Sequence, residues 1–417
     1  MPTTGSRKPK IFYGYFIVLA SFFILVVMWG TVYTFGVFLQ PLIAEFGWTR
    51  TMTSGAHSLC LLLFGSLSIV TGRLTDRFGP RIVTTVCGLL FGLGYLLMSQ
   101  ISAIWQLYLF YGVLVGVGVS SGWVPLVSIV ARWFVKRKGL ITGIVVSGTG
   151  TGIVIMPSIA SRLITSYGWS TSYLILGVIA LVLIILAAQF LKRDPGQIGQ
   201  LPYGETEIKE ESLNLDAKGF SLREAIHTRQ LWMVCALYLC YGFCLQVILV
   251  HIVPHATELG ISAITAANIL VVSGGASIVG RIIMGSASDR TGNKLTLIIS
   301  FILFSVTLLW LQFAQELWML YIIVVIFSFG YGGFSVVMSP VVAELFGLSS
   351  HGVILGIIVL GWTIGGIIGS LVAGRIFDLT TSYQLAFLVS TVLSVIGLIL
   401  ASLLKPPRRR EGLAGSV

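Results

Sequence analysis

Arg281 is the one cation of this 417-residue chain that falls inside an apolar run instead of beside one. It stands eight residues before Asp289, so at 1.5 Å per helical residue it lies about 12 Å in from the next polar segment. An arginine at such a depth costs about 2.5–3.5 kcal/mol on insertion scales. Its helical neighbours Ser277, Ile278, Met284 and Gly285 include no acid, and no apolar run carries a carboxylate in its middle. The partner this charge needs is therefore an anion from outside the chain, and the planar fork of donors suits a carboxylate better than a halide. Helix-end carbonyls with water, or snorkelling to the interface, are the other fates open to such a group. Ser277 lies one turn before it, and Gln246, Tyr33, Tyr241, Tyr331 and Trp362 fall near the middle or outer half of other runs. They could shape a small pocket, Tyr331 first among them, although packing or an interfacial hydrogen bond would account for each equally well.

The elements that must position these groups follow from composition. The chain is 56% hydrophobic and only 10% charged, with 48 glycines and a mean hydropathy of +0.97, which excludes a soluble globular protein and fits close-packed membrane helices. Twelve runs reach spanning length, near 12–40, 51–72, 82–101, 105–133, 140–166, 170–191, 232–258, 263–288, 295–314, 317–342, 352–376 and 383–404. All Lys and Arg other than Arg50, Arg162, Arg281 and Arg375 fall on one side of these spans. That side is expected to be cytoplasmic, with both termini on it, in a plasma membrane of the bacterial inner type. The +11 net charge is thus a topology signal and not a nucleic-acid patch. The five cysteines lack paired ligand spacing, so neither disulfides nor a metal site is expected.

The expected loop after the second run, Gly72-Arg-Leu-Thr-Asp-Arg-Phe-Gly-Pro-Arg81, recurs after the eighth as Gly285-Ser-Ala-Ser-Asp-Arg-Thr-Gly-Asn-Lys294, an offset of 213 residues. The same offset carries Gly139, Gly143, Gly148 and Gly152 onto Gly352, Gly356, Gly361 and Gly365. One offset linking two separate regions predicts two parallel six-helix halves, 1–191 and 232–417. They are joined by the polar linker 192–231, whose end reads as a short helix capped by Ser221 and Glu224. In the two repeated segments Asp76, Arg77, Asp289 and Arg290 are expected to act in gating. An Asp at a helix N-terminus or beside an Arg gains from the dipole and from charged hydrogen bonds, contacts that break when that side opens. Tight-turn and topology roles are the plainer reading. The glycine ladders are assigned to helix packing.

These residues carry a family resemblance. The repeated Gly-x-x-x-Asp-Arg-x-Gly signature resembles the major facilitator superfamily over essentially the whole chain. The stretch 131–152, opening Ala131-Arg-Trp-Phe-Val-Lys-Arg-Lys-Gly139, resembles the monocarboxylate transporter family and its oxalate/formate-exchanging relatives, in particular its bacterial lactate/proton symporters. The resemblance implies an all-α fold of twelve transmembrane helices, alternating access, and small organic anions as cargo. It implies that Arg281 matches the helix 8 arginine that holds substrate carboxylate. The exchangers carry a second basic residue in helix 11, for which 352–374 offers no counterpart, so one carboxylate is favoured. Animal members use a helix 1 lysine and an aspartate one turn before the arginine; here helix 1 has no lysine and that position is Ser277.

Moving a carboxylate inward against an inside-negative potential costs about 2.3 kcal/mol per 100 mV, and moving it with a proton is electroneutral. The remaining titratable residues in the spans are His57, His251 and His255. Residues 241, 244, 248, 251 and 255 share a helical face, which suggests a lined cavity with His251 as the expected proton site. A neutral hydrogen-bonded histidine, or cargo that enters already protonated, are the alternatives. The expectation is a proton-coupled carrier of lactate- or pyruvate-like monocarboxylates, working as a monomer, with no cofactor and no enzymatic role. An organic-anion exchanger is the nearest alternative. A non-transporting carboxylate sensor is another class, disfavoured by the shortness of the polar segments.

Overall fold

The computed structural model describes residues 12–204 and 219–405; the basic Arg7 to Lys10, the acidic stretch Glu205 to Asp216 and Arg408 to Arg410 lie outside the described residues. Among the described residues eleven helices are long and apolar enough to cross a membrane. The longest, Lys138–Ala188, bends at Gly168, where φ of 77° breaks the helical geometry, and this makes twelve spans. In chain order they are α1 Gly14–Phe46, α2 Arg50–Phe78, α3 Pro80–Met98, α4 Ile104–Trp133, α5 138–167, α6 169–188, α7 Arg229–Glu258 and α8 Ala263–Thr291. The last four are α9 Asn293–Leu311, α10 Leu317–Phe346, α11 His351–Thr380 and α12 Gln384–Leu403.

Several helices leave large apolar side chains exposed at helical spacing, such as Leu174, Val178, Val182 and Leu186 along α6. In water such a stripe would be a liability; against lipid tails it costs nothing. The short helix Leu222–Ile226 forms as expected, with Ser221 and Glu224 in a reciprocal capping box.

The spans run longer than hydropathy suggests. Arg73, Asp76 and Arg77 occupy the last turns of α2, and Asp289 and Arg290 those of α8, so the repeated signature is helix and not loop. Gly79 and Gly292, with φ of 83° and 88°, end the two helices, positions a side chain would strain.

Two helix crossings then hold the basic side together, and both depend on glycine. A Cβ on Gly72 of α2 would lie 2.2 Å from the Gly352 carbonyl oxygen of α11, and one on Gly352 2.5 Å from that of Gly72. Gly139 of α5 and Gly285 of α8 show the same reciprocal approach, at 2.4 and 2.5 Å. The offset of 213 residues carries one pair onto the other. Gly148 and Gly152 instead meet α1, and Gly361 and Gly365 meet α7.

Two spans are broken near the centre. Thr34 separates Gly14–Tyr33 from Phe35–Phe46 in α1, and the Tyr95 and Tyr111 hydroxyls donate to the nearby carbonyls of Thr31 (2.7 Å) and Val32 (3.0 Å). In α4 a π-helical stretch, Tyr108–Val115, precedes an irregular turn at residues 120–123. The Trp29 indole donates to the freed Gly122 carbonyl at 3.0 Å.

Candidate functional site

Arg281 is buried, with 1% of its surface exposed, ten residues before the end of α8. Its Nη1 donates to the Val146 carbonyl of α5 at 3.1 Å, where Gly150, one turn on, leaves room for the guanidinium. Its Nη2 donates to the Tyr331 hydroxyl of α10, and the guanidinium carbon lies 4.8 Å from the centre of the Tyr331 ring. The Nε is buried without an acceptor, and among the described residues no carboxylate pairs with the charge. A cation held by one carbonyl and one hydroxyl has unspent capacity, and a buried unpaired donor is uncommon enough to require an explanation.

Arg281 lines a cavity of about 280 Å³ whose walls come from α1, α2, α4, α5, α7, α8, α10 and α11. Tyr33, Tyr241, Gln246, Ser277, Tyr331 and Trp362 all line it, so the tertiary fold gathers the candidate binding residues around one cation. Tyr33 and Tyr241 also lie within electrostatic range of Arg281 and Tyr331. Because the Tyr331 hydroxyl accepts from Arg281, its own proton is free for an anion bound beside them. Sequence reasoning missed Trp29, Phe64, Trp123 and Thr149, which carry no charge and read as ordinary packing residues.

The structure places His251 elsewhere. Its Nε2 lies 3.1 Å from the Ser370 carbonyl of α11 and its ring packs on Tyr383, while His255 packs on Phe387 of α12. Cys244 donates to Ser390 of α12 at 3.3 Å. The expected stripe along α7 therefore splits after Tyr241. Steps of four, through Leu245 and Leu249, follow the cavity, and the step of three to Cys244 turns toward α12. His57 is bonded to the Tyr111 hydroxyl at 3.1 Å and stacked on Phe35, also outside the cavity wall.

From Arg281 the lining extends along α8 toward Leu270, away from the basic side. On that side the structure is shut. The Asp289 carboxylate accepts from the backbone N–H groups of Gly139 and Leu140 at the start of α5, at 2.6 and 2.8 Å. Asp76 accepts from those of Gly352 and Val353 at the start of α11, at 3.1 and 3.0 Å. The offset of 213 residues carries one latch onto the other, donor pair and acceptor alike. Helix N-termini present free N–H groups and a partial positive charge, so a carboxylate there is doubly stabilised.

Arg77 and Arg290 are exposed, and Arg77 rests over the Phe78 ring at 5.1 Å. The arginine beside Asp76 is Arg132 of α4. Arg132 lies 3.7 Å from Asp76 and 3.4 Å from Asp194, and donates to the Leu348 carbonyl at 2.5 Å. Beside it Ser339 of α10 donates to the Val127 carbonyl of α4 at 3.1 Å, and buried His351 approaches the Ser339 carbonyl at 3.0 Å.

Comparison with known proteins agrees with this architecture. A family model described as Major Facilitator Superfamily matches residues 14–267 and 234–416. The chain is 28% identical over 344 residues to "Uncharacterized MFS-type transporter YhjX" of Escherichia coli (strain K12), covering 81% of this chain and 82% of the relative. It is 25% identical over 407 residues to "Monocarboxylate transporter 13" of Rattus norvegicus, covering 94% and 89%. It is 28% identical over 431 residues to "Monocarboxylate transporter 12" of Mus musculus, covering 96% and 87%. Among solved structures, the proton:xylose symporter XylE superposes with a TM-score of 0.74 at 14% identity, covering 94% of this chain and 96% of that one. The major facilitator superfamily transporter FucP, in the outward conformation, does so at 0.72 and 16%, covering 94% and 99%. With twelve spanning helices, a cavity between them and a family match along nearly its whole length, the chain belongs to the major facilitator superfamily, a family of membrane transporters and not of enzymes.

Proposed function

We propose that this protein is a secondary carrier of monocarboxylates of the lactate and pyruvate type, taken up with protons by alternating access. The single observation that carries the reading is Arg281, a buried guanidinium at the cavity with an unpaired Nε and no carboxylate partner among the described residues. An incoming carboxylate would accept from the guanidinium and from the Tyr331 hydroxyl, supplying the counter-charge that the helices lack. Relatives named monocarboxylate transporters support the cargo class.

The halves 1–191 and 232–417, joined by 192–231, rock about the site as a monomer in a bacterial inner membrane, with the basic side cytoplasmic. The double latch closes that side in this structure, so the cavity corresponds to the outward-facing state. Cargo binding and release of the Asp76 and Asp289 contacts then alternate access. The cavity wall carries no Asp, Glu, His or Lys among the described residues, and the guanidinium and neutral phenols have no site for an extra proton, so the coupled proton travels on the cargo. The same feature favours one second reading, exchange of organic anions, which needs no proton site.

Labelled L-lactate uptake into proteoliposomes, with and without an inward proton gradient, tests both. Gradient-stimulated uptake that is lost in Arg281→Ala supports symport at this site. Gradient-independent counterflow lost in the same variant supports exchange. Uptake that survives Arg281→Ala refutes the site.

A further inference from the structure

The cavity is larger and more aromatic than a three-carbon acid requires. An apolar cavity of about 150 Å³ accommodates benzene, which has six heavy atoms, as lactate does. The space here is about 280 Å³. That leaves room for a ring-sized tail beyond a six-atom acid.

The lining divides by chemistry. Arg281 and Tyr331 form a polar pole on α8 and α10. The aromatic part is a connected belt from other helices. Trp29 of α1 meets Phe64 of α2 edge-on at 4.9 Å, and Phe64 meets Trp362 of α11 edge-on at 6.4 Å. The Trp29 indole is held by Gly122, next to Trp123 of α4.

Four of the cavity hydroxyls are already engaged within the protein. Thr149, Ser277 and Ser335 donate to carbonyls of their own helices at 2.8, 2.8 and 3.0 Å, and Ser273 pairs with Ser328 at 2.9 Å. Of the wall's polar atoms that are fully buried without a partner, all are donors: the Arg281 Nε and the indole N–H groups of Trp123 and Trp362. Donors left without a partner in the residues of a cavity wall suit an acceptor on a ligand that the wall closes around.

We propose that the preferred cargo is a monocarboxylate with a ring-sized apolar tail and a further acceptor oxygen, in chemical class an aryl-substituted 2-hydroxy or 2-oxo acid. Its carboxylate rests on Arg281 and Tyr331, its ring in the Trp29–Phe64–Trp362 belt, and its second oxygen on an indole N–H. The proposal rests on the reading that Arg281 takes the carboxylate. Aromatic rings stack edge-on or offset in such belts, and a lactate methyl group would leave most of this surface facing water.

The test is isothermal titration of the full-length protein in nanodiscs with L-lactate, 3-phenyllactate and 3-phenylpropionate, the last lacking the 2-oxygen. We expect 3-phenyllactate to bind at least tenfold tighter than lactate, and both to be lost in Arg281→Ala. Phe64→Ala should shrink that advantage below threefold. Trp362→Phe, which keeps a ring and removes the N–H, should shrink the advantage of 3-phenyllactate over 3-phenylpropionate. Should a variant fail to fold, the parent's ligand series still decides. Lactate binding as tightly as 3-phenyllactate, and lost in Arg281→Ala, overturns the tail proposal and leaves the carboxylate site standing. An unchanged preference in Trp362→Phe and in Trp123→Phe overturns the acceptor assignment. Binding that is insensitive to Arg281→Ala, or absent for every acid, overturns the carboxylate site and the proposal together.

Discussion

Replacing Asp76 or Asp289 by asparagine isolates the latch that shuts the basic side. Each carboxylate accepts two backbone N–H groups from the first turn of a helix in the opposite half. Asparagine keeps one acceptor oxygen and turns the other into a donor, so one bond is lost, the second becomes neutral, and the attraction to the helix dipole disappears. Hydrogen bonds to charged groups are worth about 1.5–3 kcal/mol, and a carboxylate at a helix N-terminus gains about 0.3–1 kcal/mol. Asp289 is exposed and Asp76 half-buried, so water recovers part of both sums and about 1–2 kcal/mol per site remains. That makes opening of the basic side roughly 5–30 times more frequent. Hydrogen–deuterium exchange in nanodiscs reads it directly, in peptides covering residues 135–142 and 348–355, which contain the four latched amides. If the halves rock as units, either substitution accelerates exchange in both peptides. Acceleration confined to the peptide facing the mutated residue would refute the coupled latch and reduce the two aspartates to local helix caps.

Tyr331→Phe removes the hydroxyl that Arg281 touches, and monocarboxylate affinity should fall about tenfold, the worth of one hydrogen bond to a charged group, in equilibrium binding. Gly72→Val places side-chain atoms where a Cβ alone meets the Gly352 carbonyl at 2.2 Å; the α2–α11 crossing should separate, seen as rapid exchange at residues 348–355. Gly150→Ala puts a methyl group 2.8 Å from the Arg281 Nη1, and it should weaken cargo binding while the melting temperature changes little. Trp29→Phe leaves the buried Gly122 carbonyl without its donor, and thermal melting should show a loss of about 1–3 kcal/mol; an unchanged melting temperature would mean that water replaces the indole.

Much of the fold was legible because lipid imposes simple rules. A span must be long and apolar, and a charge inside it must have a reason, so twelve helices and Arg281 stand out in the residue order alone. The repeat was legible because both halves need the same small residues at the same crossings, as Gly72 with Gly352 and Gly285 with Gly139 demonstrate. Span ends were less so: hydropathy stops at the first charge, whereas α2 and α8 carry Asp76 and Asp289 as helical residues to their capping glycines. The α7 stripe misled because residues three and four positions apart share a face over one turn and diverge over several, so Tyr241 reaches the cavity and His251 does not.

Membrane class, helix count, the doubled signature and the one cation deep within a span were legible in the residue order, because each is a property of local composition or of a constant offset. What surrounds that cation and what closes the site came only from packing. Tyr33, Tyr331 and Trp362 come from helices far apart in the chain, and the carboxylate of Asp289 meets amides 150 and 149 residues away. Neutral aromatic residues and backbone N–H groups carry no signature in a sequence. Their role exists only where packing brings them together.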